Sequence, residues 1–189
     1  MLILSIDQSL SCSGWAMILD GTVTKYGKVE TKLNSKDPSN RDRLQQIWNS
    51  FYEIIGPEGD HPDLIVLETF YGGSKHNGGN AIPEVRGVLK LLTSMVGVPL
   101  KEYAPQTVRK GMLGNGRAEK DQVAAFVSKE LGKTFEKKDF DVTDAILMGL
   151  YASRVEDDEA AQRISATPVG LTRRKWPRSK GTKGDTNGK

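Results

Sequence analysis

The sequence predicts an α/β fold: a mixed five-stranded sheet, with three antiparallel strands followed by parallel strands, flanked by helices. Residues 1–30 alternate between apolar runs and turn residues, which is typical of an antiparallel meander. The rest of the domain alternates short apolar runs with segments of helical periodicity. Such an alternation requires parallel strands that are joined by right-handed crossovers.

The elements follow in order along the chain. Three strands are expected over residues 2–7, 13–20 and 22–30. Apolar residues at three- and four-residue steps predict a helix over 41–56, and the apolar run 64–67 predicts a strand buried on both faces. A helix over about 82–96 and a short strand over 98–103 come next. Two or three helices complete the domain, one beginning near residue 118 and one covering roughly 139–155.

Length and composition exclude several classes of protein. The 189 residues suffice for one α/β domain and not for two of ordinary size. No apolar run approaches the ~18 residues of a membrane span, and Asp7 follows the start too closely for a secretory leader. We therefore expect a cytoplasmic protein without a membrane partner. One cysteine, Cys12, and two histidines, His61 and His76, cannot form a disulfide or a zinc cluster, so carboxylates must bind any metal.

Charge is distributed unevenly along the chain. The net charge is +3, but residues 171–189 carry seven basic residues and one acidic residue. We therefore expect a folded domain over residues 1–170 and a flexible basic tail over residues 171–189. The charge of this tail favours polyanion binding and a solubilising role equally.

Four carboxylates are expected to converge. Asp7 ends the first predicted strand and Glu68 ends the fourth, so in parallel neighbours they would meet at the carboxyl edge, where such sheets bind ligands. Asp141 and Asp144 share one face of the last predicted helix. Each acid alone is also explained as a turn or helix cap. Together they match Mg²⁺ or Mn²⁺, and two such ions ~4 Å apart would activate water against a phosphodiester.

Four segments of the chain resemble the RuvC family of Holliday-junction resolvases, which have a ribonuclease H-like fold. They are LSIDQSLSCSGWAM, VLETFY, APQTVRKGMLGNGRAEKDQV and DVTDAILMGLYA, at residues 4–17, 66–71, 104–123 and 141–152. The resemblance implies a magnesium-dependent endodeoxyribonuclease that cuts four-way junctions by paired, symmetric hydrolysis as a homodimer. It also implies that four acids are the catalytic residues and metal ligands: Asp7, Glu68, Asp141 and Asp144.

The resemblance also assigns contacts with DNA. Lys120 matches a family lysine that is expected to hold a DNA phosphate, and Arg109, Lys110 and Arg117 lie nearby in the sequence. A solvated helix surface is the alternative interpretation of these bases. Tyr71 falls where the family places an aromatic residue that meets bases near the crossover, and its alternative is ordinary core packing.

The chain departs from the family in two loops. It has Ser5-Ile6-Asp7-Gln8-Ser9 where the family has glycine before the first acid and Pro-Gly after it, and residues 72–79 replace the family's loop after the second acid. This compact form with a basic tail is similar to phage-encoded members, which would act on replicating or nucleoid DNA. The departures leave open a less selective branched-DNA or flap endonuclease of the same fold.

Two alternatives of other classes are weaker. An actin-like phosphate-binding ATPase shares the strand-Asp-loop opening, but it needs a second lobe for which the chain has no room. A non-catalytic DNA-binding module is disfavoured because it would gain by replacing four mutually repelling acids.

The helix over 82–96 predicts a dimer contact. Its apolar residues spread over about half the circumference, wider than the ~100° stripe that covers one sheet. The excess edge around Val88, Leu91 and Met95 predicts a two-fold symmetric homodimer. Burial under a neighbouring helix of the same chain is the alternative.

Overall fold

A five-stranded sheet lies at the centre of the protein. The computed structural model describes residues 1–33, 39–56, 59–69 and 81–166. The strands have the order β3-β2-β1-β4-β5. Their bounds are β1 (Leu2–Asp7), β2 (Cys12–Leu19), β3 (Thr22–Glu30), β4 (Leu64–Glu68) and β5 (Leu100–Tyr103). Strands β1, β2 and β3 pair antiparallel, whereas β4 pairs parallel with both β1 and β5. The predicted mixed sheet is confirmed.

Helices cover both faces of this sheet. They are α1 (Arg41–Ile55), α2 (Ala81–Val96), α3 (Pro105–Leu113), α4 (Lys120–Leu131) and α5 (Phe140–Ala166). Side chains of α1 and α2 form one hydrophobic core with the sheet, and those of α3, α4 and α5 form the other. None of the described helices is long and apolar enough to cross a membrane.

The structure corrects two predicted boundaries. Helix α5 continues to Ala166, beyond the predicted end at residue 155, and Lys101 on β5 forms ion pairs with Glu156 and Glu159 in the added turns. Strand β5 begins at Leu100 rather than at residue 98. The predicted basic tail, Tyr71, His76 and the loop 72–79 lie outside the described residues.

Helix α5 packs directly on the sheet. A Cβ atom at Gly14 of β2 would lie 2.0 Å from the carbonyl oxygen of Asp141, and one at Gly149 would lie 2.6 Å from Ser5 Oγ. The buried Ser5 hydroxyl donates a hydrogen bond of 2.6 Å to the carbonyl of Ala145. Because glycine has no Cβ, the helix backbone can approach β1 and β2 this closely. This close approach sets the position of the first turns of α5.

Candidate active site

Asp7 and Glu68 end two neighbouring parallel strands. Ile6 and Leu67 are register partners, so the two acids that follow them lie at the same edge of the sheet, as predicted. The side chain of Gln8 joins the strand ends: its Nε2 donates to the Glu68 carbonyl at 2.7 Å, and its Oε1 accepts from the Glu68 N–H at 3.1 Å. This two-way contact fixes the backbone of Glu68 relative to that of Asp7.

Asp141 and Asp144 lie in the first turns of α5, where two cations from other helices contact them. Lys120 Nζ is 3.3 Å from Asp141 Oδ1 and 3.5 Å from Asp144 Oδ2. Arg109 Nη2 is 3.2 Å from Asp144 Oδ1, and its Nη1 donates a hydrogen bond of 3.1 Å to the carbonyl of Ala118. The shared face of these two acids, predicted from their spacing, is thus occupied by positive charge.

Burial and neighbouring negative charge raise the pKa of two of the acids, Asp7 and Glu68. The pKa of Asp7 is well above its usual value because burial, followed by the charges of Glu68 and Asp144, disfavours its ionised form. Burial also raises the pKa of Glu68, with the charge of Asp144 as the next cause, while the charge of Arg109 opposes the shift. A divalent cation at this place would favour the ionised form of both carboxyls.

The donor set fits a hard metal ion. Carboxylates from β1, β4 and α5 line one narrow cleft: Asp7, Glu68 and Asp144. Oxygen donors of this kind suit Mg²⁺ or Mn²⁺, and mutual repulsion between the acids is relieved by such an ion. Within the described ranges, no group of three or more His, Cys, Asp or Glu side chains is arranged to hold a metal as it stands. Lys120 contacts oxygens of Asp141 and Asp144 that an ion would use, and Arg109 contacts the other oxygen of Asp144, so metal binding requires at least the Lys120 contacts to be exchanged.

The four bases that were predicted to contact DNA fall into two pairs. Arg109 and Lys120 face the acids. Lys110 and Arg117 line a neighbouring open cavity between α3 and the loop before α4. From the sequence, all four bases were expected near one DNA phosphate. In the structure, Arg109 and Lys120 lie at the acids, whereas Lys110 and Arg117 lie at a different cavity.

Three residues that position the acids were not among the predicted site residues: Ser5, Gln8 and Gly14. Glycine inside a strand indicates close approach of another backbone, so Gly14 carried a usable signal. Nothing in the sequence indicated the roles of Ser5 and Gln8, because their hydrogen-bond partners lie 140 and 60 residues away along the chain.

We expect Asp7→Asn to stabilise the metal-free protein at neutral pH. Because the pKa of Asp7 is raised on folding, its contribution to the free energy of unfolding is complete at low pH and is lost as the pH rises through that raised pKa. Asparagine stays neutral, so the Tm advantage of the variant should grow above about pH 4. Each kcal/mol corresponds to about 2–4 °C in a chain of this size.

Calorimetry in EDTA between about pH 4 and pH 8 measures this difference. Glu53→Gln, which neutralises an exposed acid on α1, is the matched control and should give a small difference at every pH. Adding Mg²⁺ should raise the Tm of the wild type more than that of Asp7→Asn. A Tm difference for Asp7→Asn that does not change with pH would contradict the expectation.

Comparison with known proteins identifies the family. The model of the family described as "Crossover junction endodeoxyribonuclease RuvC" matches residues 3–151, from β1 into α5. A protein of that name from Chlorobium phaeovibrioides is 31% identical over 152 residues, which is 79% of each chain. The one from Ruegeria pomeroyi is 31% identical over 151 residues, covering 79% of this chain and 89% of the relative.

Solved structures have the same fold. The Thermus thermophilus RuvC structure has a TM-score of 0.68 at 20% identity, covering 84% of this chain and 97% of that one. The yeast mitochondrial Holliday junction resolvase Ydc2 has a TM-score of 0.60 at 12% identity, covering 86% and 82%. These proteins share the ribonuclease H-like arrangement of a five-stranded mixed sheet between helices. Because the family model matches residues 3–151, which are most of this chain, the chain belongs to the RuvC family of crossover junction endodeoxyribonucleases, which are metal-dependent nucleases.

Proposed function

We propose that this chain resolves four-way (Holliday) DNA junctions by hydrolysing two symmetrically related phosphodiester bonds. The observation that carries the proposal is the convergence of Asp7, Glu68 and Asp144 in one cleft, with Lys120 in contact with Asp144. The choice of substrate is supported by likeness to T. thermophilus RuvC in complex with a Holliday junction substrate, with a TM-score of 0.68 at 21% identity. The Fowlpox virus resolvase complex with Holliday junction DNA has a TM-score of 0.53 at 14% identity.

The four acids are proposed to bind two Mg²⁺ ions per site, or Mn²⁺ in their place: Asp7, Glu68, Asp141 and Asp144. Such ions supply the activation of an attacking water and the stabilisation of the leaving oxygen. The protein holds the acids at fixed places for this purpose. The Gln8 side chain fixes the end of β4 beside β1, and Gly14 lets the start of α5 approach the same edge.

Lys120 and Arg109 are proposed to have different roles. Lys120 begins α4 and its side chain is 47% exposed, so it can exchange its carboxylate partners for a DNA phosphate. The side chain of Arg109 is 22% exposed and joins Asp144 to the carbonyl of Ala118. We therefore assign Arg109 to orienting Asp144, in place of the phosphate contact that the family resemblance implied. Tyr71 keeps its proposed contact with bases, although it lies outside the described residues.

Incubation with a synthetic four-way junction and Mg²⁺ tests the function, with duplex, flap and single-stranded DNA as controls. We expect paired nicks at symmetric positions in the junction and little cleavage of the controls. Equal cleavage of the flap would favour the less selective branched-DNA endonuclease. The absence of any cleavage would contradict the proposal.

A two-fold symmetric homodimer is proposed as the active form. Two nicks in symmetry-related strands need two sites, and the described part of the chain provides one carboxylate cluster. On α2, Leu91 is 57% exposed and Met95 is 66% exposed, which leaves an apolar surface that the described part of the chain does not cover. Val88 was predicted to belong to this surface, but it is partly buried against the core of the same chain.

Replacing Leu91 or Met95 by lysine is expected to weaken the dimer. Each protomer loses one buried apolar side chain at about 1.5–3 kcal/mol, so the symmetric dimer loses about 3–6 kcal/mol and its Kd should rise at least about 100-fold. Light scattering at micromolar concentration measures the mass, and the nicking assay should show single cuts in place of paired ones. Leu33→Lys is the matched control, since Leu33 is also exposed, at 72%, and does not belong to α2. A wild-type monomer that still makes paired nicks would contradict the dimer.

A further inference from the structure

A second cavity lies beside the acidic cleft. It has a volume of about 870 Å³ and opens between α3 and the loop that precedes α4. Lys110 and Arg117 line it, whereas Asp7, Glu68 and Asp144 line the other cleft. The catalytic proposal makes no use of this cavity.

The cavity has the chemistry of an anion site. Its polar lining comprises Lys110, Arg117, Gln106, Thr107 and Asn115, and no described carboxylate lines it. Neither Lys110 nor Arg117 forms an ion pair within the ranges that the structure describes, in contrast to the two cations that face the acids. Two positive charges that no described carboxylate pairs attract an anion to this cavity, and the amide and hydroxyl groups add hydrogen bonds that phosphate oxygens accept.

Close packing of backbone shapes this cavity. A Cβ at Gly116 would lie 2.9 Å from the carbonyl oxygen of Gln106, so glycine lets the loop fold tightly against α3. Gly111 allows the ring of Tyr151, on α5, to pack against α3. The Tyr151 ring meets that of Tyr103 edge-on, with centroids 5.2 Å apart, and Tyr103 lines the acidic cleft. The packed rings of Tyr103 and Tyr151, together with α3, therefore lie between the two cavities.

The spacing along α5 relates the cavity to the cleavage site. Tyr151 follows Asp144 by two helical turns, which is about 10 Å at 1.5 Å per residue. A DNA strand advances about 3.4 Å along the duplex axis per nucleotide and also turns about that axis, so its neighbouring phosphates lie farther apart than this rise and about one to two nucleotides span the separation. A strand whose scissile phosphate lies at the acids can thus reach the cavity with a phosphate of the same strand.

We propose that this cavity is a second DNA subsite, which binds a backbone phosphate about one to two nucleotides from the scissile phosphate through Lys110 and Arg117. The inference rests on the proposed function, because it takes the scissile phosphate to lie at the acids. Phosphate contacts position a strand without reading its sequence. The subsite would hold one junction arm in register with the acids, and it contributes to KM rather than to kcat.

A double-mutant cycle between protein and DNA tests the subsite. In synthetic four-way junctions, one phosphate at a time near the cleavage site is replaced by an uncharged methylphosphonate, and Kd is measured without divalent ions. At one position about one to two nucleotides away, the replacement should weaken wild-type binding about tenfold and have little effect on the binding of Lys110→Gln or Arg117→Gln. Each variant should also flatten the slope of log K against log salt by about 0.9.

The control is Lys129→Gln, which removes an exposed charge of α4 that does not line the cavity. It should keep the full methylphosphonate effect at that position. With saturating junction, kcat of Lys110→Gln and Arg117→Gln should stay within about twofold of the wild type, while KM rises. If the effects of the protein substitution and of the methylphosphonate on binding were additive at every position, while the wild type cleaved normally, the subsite alone would be overturned. A wild type that neither binds nor cuts four-way junctions would overturn the proposed function as well.

Discussion

Replacing Asp7, Glu68 or Asp144 by its amide should abolish junction cleavage while the protein stays folded and still binds the junction. Each change removes a carboxylate from the cleft where the three acids meet, and with it a ligand for a divalent ion. Metal ions contribute several kcal/mol to the stabilisation of such a transition state, and about 1.4 kcal/mol corresponds to a factor of ten in rate. We therefore expect a loss of at least ~1000-fold in the single-turnover rate.

Gel-shift and single-turnover assays on one preparation separate binding from chemistry. Asp141→Asn should lose less activity, because water can replace one ligand of a magnesium ion. Asp121→Asn is a matched control, since it neutralises an acid one residue after Lys120 that does not line the cleft. Substantial cleavage by all three amide variants would rule out the proposed metal site.

Gly14→Ala should reduce cleavage about 100-fold although residue 14 need not touch the substrate. The added methyl would lie 2.0 Å from the carbonyl oxygen of Asp141, so the start of α5 must move away from β2. That movement carries Asp141 and Asp144 away from Asp7. A displacement of about 1 Å at reacting groups costs on the order of 100-fold in rate. Forcing a methyl group into this contact should also destabilise the protein by about 1–3 kcal/mol.

Cleavage rate, junction Kd and Tm together distinguish misplacement from unfolding. Junction affinity should change little, because Lys110 and Arg117 lie outside the displaced turn. Gly87→Ala is the control, since a Cβ there would meet no atom within 4 Å. Ser5→Ala removes a single hydrogen bond to α5 and should give a smaller loss with a stable fold. Wild-type cleavage by Gly14→Ala would show that the close approach has no catalytic role.

The sheet and the place of Asp7 and Glu68 could be predicted because few topologies satisfy the pattern of strands. A parallel strand after a crossover must end at the same edge as its neighbour, which brings the two acids together. The end of α5 could not be predicted in this way. Residues 156–166 lack apolar periodicity, and their helix is supported by part-buried ion pairs between Lys101 and two glutamates.

The partners of the acids were also beyond the sequence. Arg109 and Lys110 are adjacent, yet Arg109 contacts Asp144 and Lys110 lines the second cavity. Successive residues of a helix point about 100° apart, so their roles depend on how α3 is rotated about its axis. Val108 is the one fully buried residue of this nine-residue helix, which leaves too short an apolar pattern to define that rotation.

Gln8 stands where the family has proline, and this difference affects how the sheet edge that carries Asp7 and Glu68 becomes rigid. The proline that the resemblance assigns to this position restricts the chain before folding as well as after it, because its ring limits φ in every state. Gln8 acts only through its two hydrogen bonds to the backbone of Glu68. This sheet edge therefore becomes rigid only when β4 docks beside β1. During refolding, slow hydrogen exchange of the Glu68 amide should report that docking, because this N–H donates to Gln8.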